Sequence, residues 1–407
     1  MNEKQLFGLA LGLQLPWFID RIEFDPARKR LDLFLEFERG AKFPCPECGE
    51  GTPCPVHDTR ERTWRHLDFF QHQAFLTAKV PRIQCPTHGT KQVLVPWARE
   101  GSGFTLLFEA LTLLLAREMP VSGAAKVLGC HPDSVWRVLR HYVELAIQQA
   151  DYSNVAKVGV DECSREKGHV YLSTFCDLER SRVVFVSPDR SASAFDGFGA
   201  FLEERGLARD QVTDIGMDMW EPYRLGAERV FPKAAVTFDR YHVMALMNGA
   251  IDAVRRLEVQ EARELKHSRY LWLTNPQNLS KRQKATMAGL ANTHLRTARA
   301  YQIKLALQDL WNHTTMEEAE RHLRRWYFWA THSRIEQVVA AAKTIRRHWQ
   351  GILLFIKSRV TTGIVEGLNS KINTAMKRAY GFKSFEYLRI VIYLVAGKLS
   401  LPLPTQN

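Results

Sequence analysis

The run KVGVDE, residues 157–162, decides how the rest of the chain is read. Apolar residues alternate up to Asp161 in the manner of a half-buried strand. An acid placed after such a run gives up solvation for no structural return. A second run of the same kind, DIGMDMW at 214–220, leads to Asp218. A third acid, Glu366, sits in VEGLNSKIN at 365–373, which is polar and helical in its spacing. Two acids at the C-terminal tips of strands and a third on a late helix can converge on one pair of divalent cations. Carboxylates crowded in this way repel one another unless a cation lies among them. The chemistry such a set supports is an in-line phosphoryl displacement driven by an activated water or DNA 3′-hydroxyl.

Working outward from Asp161, the period is two across KVGVDE, GHVYLSTFCDLE (168–179) and RVVFVSP (182–188), with a turn at Glu179-Arg180-Ser181. This predicts three antiparallel strands. A helix over Ala194–Arg205, a strand ending at Asp218, a helix after Trp220 and a strand AAVTFD ending at Asp239 follow. That order is the order of an RNase H-like sheet, in which the first and fourth strands are neighbours, so that Asp161 and Asp218 emerge together. Glu162 is expected on the opposite face. Asp239, in TFDRYHV, competes as an accessory acid, a salt-bridge partner of Arg240 or the true second ligand, while His242 reads more readily as a helix-start hydrogen-bonding group than as a ligand. Glu366 is flanked by Gly363 and Gly367, which permit close backbone approach. Asn369, Lys371, Lys377 and Arg378 nearby suit contact with DNA, and Lys383 and Arg389 add charge against a single acid, Glu386. From about 241 to 359 nearly everything reads as helix, with Trp272, Trp311, Trp326, Trp329 and Trp349 among many arginines. Stacking on unpaired bases is open to such residues, but core packing is the commoner use.

Toward the N-terminus, alternation over Trp17–Glu38 around Asp25-Pro26-Ala27-Arg28 predicts a hairpin. Three Cys-led pairs follow: CPECG (Cys45, Cys48), CPVH (Cys54, His57) and CPTHG (Cys85, His88). A structural zinc ion takes four ligands in a tetrahedron. Cys45, Cys48, Cys85 and His88 are the preferred set, because both knuckles end in Gly and enough chain separates them to form strands. Cys54 and His57 remain the competing pair. Next, FTLLFEALTLLLARE (104–118), SGAAKVLG (122–129) and DSVWRVLRHYVELAI (133–147) read as helices, the second capped by Ser122 and stopped by Gly129, the third capped by Asp133. A short helix, a glycine turn and a longer helix form a helix-turn-helix, whose last helix turns Ser134, Arg137, Arg140 and His141 toward a DNA groove.

The bulk properties agree. At 407 residues the chain holds two or three domains, and a formal net charge of +12 favours a polyanionic partner. No signal peptide is evident. The apolar run LTLLLA, from Leu111, is too short to span a membrane and is flanked by Glu109 and Arg117. The expected location is the cytosol, where reduced cysteines serve metals and not disulfides.

Together, CPECG, CPTHG, RTWRHLD, GVDE, GHVYLSTFCDLE, MDMWEPY, FDRYHV, TTGIVEGLNSKIN and KRAYGF resemble the ordered motifs of the ISL3 family of bacterial insertion-sequence transposases, from about Cys45 to Leu394. The resemblance implies an α+β multidomain DDE transposase: a β-rich zinc-binding domain (1–98), a helix-turn-helix (99–152), and an RNase H-like catalytic domain (153–407) carrying a large helical insertion at about 241–359. By motif, Asp161, Asp218 and Glu366 match the three acids. The implied cofactors are two catalytic Mg²⁺ or Mn²⁺ ions and a structural Zn²⁺. The implied partners are double-stranded DNA, as terminal inverted repeats and target, and further copies of the chain in a homodimer or larger assembly. An inactive zinc-dependent DNA-binding regulator on the same scaffold, or a structure-specific nuclease, would share most of these features without strand joining.

Overall fold

The computed structural model describes residues 1–48, 53–166, 170–291, 294–359 and 363–401. It separates into two compact units, one built on Met1–Gln148 and the other on Gln149–Leu399. Among the described residues, no helix is long and apolar enough to cross a membrane.

The first unit opens with helix α1 (Glu3–Ala10), started by a capping box between Asn2 and Gln5. The expected hairpin follows as β1 (Trp17–Asp25) and β2 (Arg30–Phe37), with Asp25 Oδ1 accepting from the Arg28 amide at 2.9 Å. Strands β3 (Lys42–Phe43), β4 (Cys54–Arg65), β5 (Gln73–Cys85) and β6 (Gly89–Gln92) complete a six-stranded sheet. Its order is β1-β2-β5-β4-β3, with β6 pairing with β5. Inward residues of alternating strands, among them Leu33, Leu35, Leu76 and Val80, bury one face around Trp17, Trp64 and Trp97. These indoles meet edge to face at 4.9 and 5.6 Å.

Helices α2 (Leu106–Glu118), α3 (Val121–Leu128) and α4 (Pro132–Gln149) follow. Two of the predicted caps are corrected. Helix α3 begins at Val121 with Pro120 in the cap position and no side-chain cap, so Ser122 lies inside it. Helix α4 begins at Pro132, whose fixed φ suits the first helical position, and Asp133 falls in the first turn, where its charge complements the helix dipole. Gly129 does stop α3, in the left-handed region at φ +61°. The carboxylate of Glu109, fully buried on α2, is held by Arg99 Nε at 2.9 Å, Ser102 Oγ at 2.7 Å and the Tyr142 hydroxyl of α4 at 2.8 Å.

The second unit is a five-stranded sheet with helices on both faces. Strands β7 (Lys157–Glu166), β8 (Val170–Asp177) and β9 (Arg182–Ser187) form the antiparallel meander. After α5 (Ser193–Glu203) comes β10 (Asp214–Met217), then α6 (Glu221–Val230) and β11 (Ala235–Phe238). The order is β11-β10-β7-β8-β9, with β10 parallel to both β7 and β11. This is the RNase H-like arrangement, and it places the first and fourth strands of the unit side by side. One face is covered by aromatic packing of Phe175 and Phe185 against Phe195 and Phe198 of α5.

Between β11 and the late helices lie α7 (Arg240–Glu258), α8 (Arg269–Leu273), α9 (Lys281–Ala291), α10 (Arg296–Gln308), α11 (Met316–Thr331), α12 (Glu336–Arg347) and α13 (Trp349–Ser358). The chain then returns to the sheet as α14 (Gly363–Ala379) and α15 (Phe385–Ala396). Four of the five tryptophans in this region are core residues, and Trp329, 36% exposed, is the exception.

Candidate active site

Strand register builds the site. Gly216 of β10 pairs with Gly159 of β7, and Met217 of β10 with Phe238 of β11. Carried just beyond these pairs, the register sets Asp161, Asp218 and Asp239 at one level across three neighbouring strands. Residues at one level of parallel strands point to the same face. Asp161 differs from expectation in one respect: β7 runs on to Glu166, so this acid lies in mid-strand and not at a strand tip. The reason is that β8 continues to pair with β7 beyond the end of β10.

The Asp161 carboxylate is half-buried and closely held. Its Oδ1 accepts from the Glu162 amide at 2.8 Å, and its Oδ2 accepts from Asn369 Nδ2 on α14 at 2.9 Å. Thr174, its cross-strand neighbour, donates to the Asp161 carbonyl or to Asn369 Oδ1, both at 3.2 Å. Burial pushes the Asp161 carboxyl above its ordinary range, and the Asp218 charge adds to this; the Glu162 amide, His242 and Asn369 pull it down. A carboxylate destabilised by burial and by a like charge is one that a cation would stabilise. His242, on the first turn of α7, thus faces Asp161 electrostatically.

Helix α14 reaches the sheet because of a glycine that the sequence reading missed. A Cβ on Gly159 would lie 2.4 Å from Val365 Cγ2 and 2.7 Å from Leu178 Cδ2. The absence of a side chain there lets α14 lie close over β7. Gly367, singled out for this purpose from the sequence, has open space around it and plays no such part. Asn369 is also corrected. Expected to contact DNA, it is buried and spends its amide on Asp161 and Thr174.

Glu366 stands one turn before Asn369, on the same side of α14 and exposed. It shares the wall of a cavity of about 1070 Å³ with Asp239. Asp239 itself is buried and caps α7, accepting from the Tyr241 amide at 2.6 Å. The carboxylates of Asp161, Asp218 and Glu366 do not all lie within 4.8 Å of one another; among the described residues, the cysteine and histidine set below is the group that does. Carboxylates brought this close would repel one another unless a shared cation offset their charge. Glu162 takes the opposite face, as expected. Its Oε2 lies 2.8 Å from Arg190 Nε, and the Arg190 guanidinium stacks on Trp220 at 4.3 Å. Burial, with Asp218 second, pushes the Glu162 carboxyl up to about 7.

In the N-terminal unit, one ligand atom from each of Cys45, Cys48, Cys85 and His88 lies within 4.8 Å of the others. The closest approaches are Cys48 Sγ to His88 Nδ1 at 3.3 Å, Cys45 Sγ to His88 Nδ1 at 3.7 Å and Cys48 Sγ to Cys85 Sγ at 3.7 Å. Zinc bonded to sulfur at about 2.3 Å in a tetrahedron has ligand-to-ligand edges of about 3.8 Å, so the donors fit the ion in both type and spacing. Backbone amides of His88 and Thr87 hold the Cys85 thiol down to about 6, whereas its contact with Cys85 pushes Cys48 up to about 12. The remote His88 Nε2 lies 3.8 Å from Glu47, which Lys91 in turn holds at 2.6 Å. Carboxylates in this position commonly orient a ligating imidazole. Cys54 is buried at the start of β4, and His57 points outward to Asp58 at 3.2 Å, so this pair does not form a second knuckle. Gly49, expected to close the first knuckle, lies outside the described residues.

Arg137, Arg140 and His141 of α4 are exposed, and Ser134 accepts from Arg137 Nη2 at 3.0 Å. Lys371, Lys377, Arg378 and Lys383 are exposed as well. Arg389 is committed to Glu386 at 2.6 Å, which removes it from the expected basic footprint.

Three family models match the chain in succession. One, described as zinc-finger of transposase IS204/IS1001/IS1096/IS1165, covers residues 41–88. The next, described as helix-turn-helix domain of transposase family ISL3, covers 93–143, and the ISL3 DDE model, described as transposase, covers 158–392. The chain is 28% identical to the transposase for insertion sequence element IS1557 of Mycobacterium tuberculosis, over 94% of this chain and 93% of that protein. It is 26% identical to the transposase for insertion sequence element IS1001 of Bordetella parapertussis, over 94% of this chain and 96% of that protein. Among solved structures, the Drosophila P element transposase strand transfer complex aligns with a TM-score of 0.37 and 11% identity, covering 72% of this chain and 91% of that one.

Proposed function

The chain belongs to the ISL3 family of DDE transposases, and from that premise we propose that Asp161, Asp218 and Glu366 form its catalytic metal-binding set, acting on the terminal inverted repeats of its own element. What supports this reading is the pairing of β10 with β7, whose register carried two residues onward sets Asp218 beside Asp161, together with the hydrogen bond of Asn369 on α14 to Asp161. Two Mg²⁺ or Mn²⁺ ions, when bound, supply the charge that activates a water and then a DNA 3′-hydroxyl and offsets charge on the leaving oxygen. Asp161 and Asp218 present carboxylate oxygens from a rigid sheet, and Asn369 with the Glu162 amide fixes the rotamer of Asp161. Glu366, exposed on the first turn of α14, completes the set from the other side. The enzyme needs no covalent protein–DNA intermediate.

The proposed domain division is 1–98, 99–152 and 153–407, with α7–α13 as the insertion. Cys45, Cys48, Cys85 and His88 hold a structural zinc ion that fixes the edge of the N-terminal sheet. Ser134, Arg137, Arg140 and His141 face the DNA groove, and Lys371, Lys377 and Arg378 face backbone phosphates. Two element ends must be joined in one reaction, which requires at least a homodimer on DNA. The protein works at the nucleoid in the cytoplasm. Family membership favours this reading over an inactive regulator. The test is incubation of purified protein with end-labelled inverted-repeat DNA and Mn²⁺. The wild type should cleave at the element end, and Asp161→Asn should bind the same DNA without cutting it. Equal behaviour of the two proteins would reject the assignment.

A further inference from the structure

Neighbouring acids on β7 face opposite sides of the sheet, and a separate cluster of side chains stands on each side. On one face, Asp161 and its cross-strand neighbour Thr174 meet Asn369 of α14. On the other, Glu162 lies opposite Ser173 of β8, and residues paired in this way share a face. The cluster on this second face is charged, aromatic and half-buried, and it reaches the segment that carries Asp218.

Strand β10 ends at Met217, so Asp218 lies in the short link before α6 and outside the strand itself. Within that link, Asp218 Oδ1 accepts from the Trp220 amide at 3.2 Å. The direction of the carboxylate therefore depends on where Trp220 sits. Trp220 occupies the cap position of α6 without a side-chain cap, and at 39% exposure it is too open to be fixed by the core. Arg190 holds it instead. The guanidinium lies 4.3 Å from the centre of the Trp220 ring and 5.2 Å from that of Tyr171, a favourable placement for a cation over aromatic faces. Glu162 Oε2, 2.8 Å from Arg190 Nε, braces the cation from the strand.

The backbone beneath Arg190 is held as well. The Ser173 hydroxyl donates to the Asp189 carbonyl at 2.6 Å and accepts from the Tyr223 hydroxyl of α6. Asp189 Oδ1 accepts from the Ser191 amide at 3.1 Å, which closes a turn. A Cβ on Gly226 of α6 would lie 2.8 Å from the Ala192 carbonyl oxygen, so the chain beyond Arg190 lies flush against α6.

We infer that Arg190 is a positioning residue for Asp218: braced by Glu162 and stacked on Trp220, it fixes the amide that orients the Asp218 carboxylate toward a divalent cation. Asp161 is thus oriented from the α14 face of the sheet and Asp218 from the α6 face. This inference rests on the proposed role of Asp218 as a metal ligand.

Manganese binding to the full-length protein tests it, read from the loss of the electron paramagnetic resonance signal of free Mn²⁺. Arg190→Gln and Trp220→Ala should each raise the dissociation constant about tenfold, at the lower end of what losing a group behind a metal ligand costs. Trp220→Phe keeps an aromatic face for the guanidinium and should stay within about twofold of the wild type. The double variant Arg190→Gln with Trp220→Ala should bind no more weakly than either single one, since both remove the same contact. The Mn²⁺ concentration for half-maximal cleavage of inverted-repeat DNA should rise in parallel. Unchanged affinity in Arg190→Gln and Trp220→Ala overturns the inference alone. Fewer ions per chain at unchanged affinity also overturns it, because that outcome marks loss of folded protein. Binding of Mn²⁺ by Asp218→Asn as tight as that of the wild type overturns the proposed metal assignment, and this inference with it.

Discussion

At the scale of single residues, Asp161 and Asn369 make the most exposed commitment. The amide of Asn369 both orients the carboxylate and helps to lower its pKa against burial and Asp218. Asn369→Ala should therefore reduce cleavage by about 10–100-fold, as the loss of groups that orient metal ligands commonly does. It should also move the acidic limb of the rate profile to higher pH, because Asp161 must ionise to hold a cation and now does so less readily. Asn369→Asp places a second anion against Asp161 and should shift that limb further in the same direction. A fall in rate with no change in the profile would assign Asn369 a purely structural part. The sign for stability runs the other way. Without cations, the raised pKa of Asp161 contributes stability that is fully present below its unfolded value and lost as pH rises through the folded one. Added Mn²⁺ should accordingly raise the melting temperature more at pH 8 than at pH 5 in the wild type. Asp161→Asn should lose that difference, and thermal melts at the two pH values check it.

At the scale of elements, the strand period made β7, β10 and the meander legible, because alternation survives whatever packs above the sheet. The caps of α3 and α4 were displaced because Pro120 and Pro132 set backbone angles that the neighbouring Ser122 and Asp133 seemed better suited to start. Contacts between remote segments left no local trace. Nothing near Gly159 announces that Val365 rests on it, and nothing in VEGLNSKIN reveals that Asn369 turns inward toward a strand some two hundred positions earlier. Gly159→Ala should destabilise the protein by about 1–3 kcal/mol through overpacking and should depress cleavage by lifting α14. Val365→Ala, combined with it, should restore part of both, as a double-mutant cycle in a chemical denaturant would register. The zinc knuckles were legible as a trio of pairs, and the geometry then separates them. Cys48→Ser should lose the metal, while Cys54→Ser should retain about one zinc per chain, as measured by elemental analysis after dialysis.

At the scale of the whole molecule, the charge of +12 carried the expectation of a nucleic-acid partner, and composition alone went no further. Binding to element ends should weaken steeply with salt. Arg137→Ala and Lys371→Ala should each reduce the salt slope by about 1 if each meets a phosphate, which titrations at several ionic strengths would resolve. The helical insertion was legible as helix but not as the wall of a cavity, since residues of α7, α10 and α14 come together only in the folded chain. Catalysis by this protein depends, on the proposed function, on the meeting of three acids from distant stretches on shared cations. Anomalous diffraction from crystals of the protein bound to inverted-repeat DNA and Mn²⁺ tests it most directly. Manganese peaks contacted by Asp161, Asp218 and Glu366 together are the expected result. Manganese held by Asp161, Asp218 and Asp239, with Glu366 left in solvent, would contradict it.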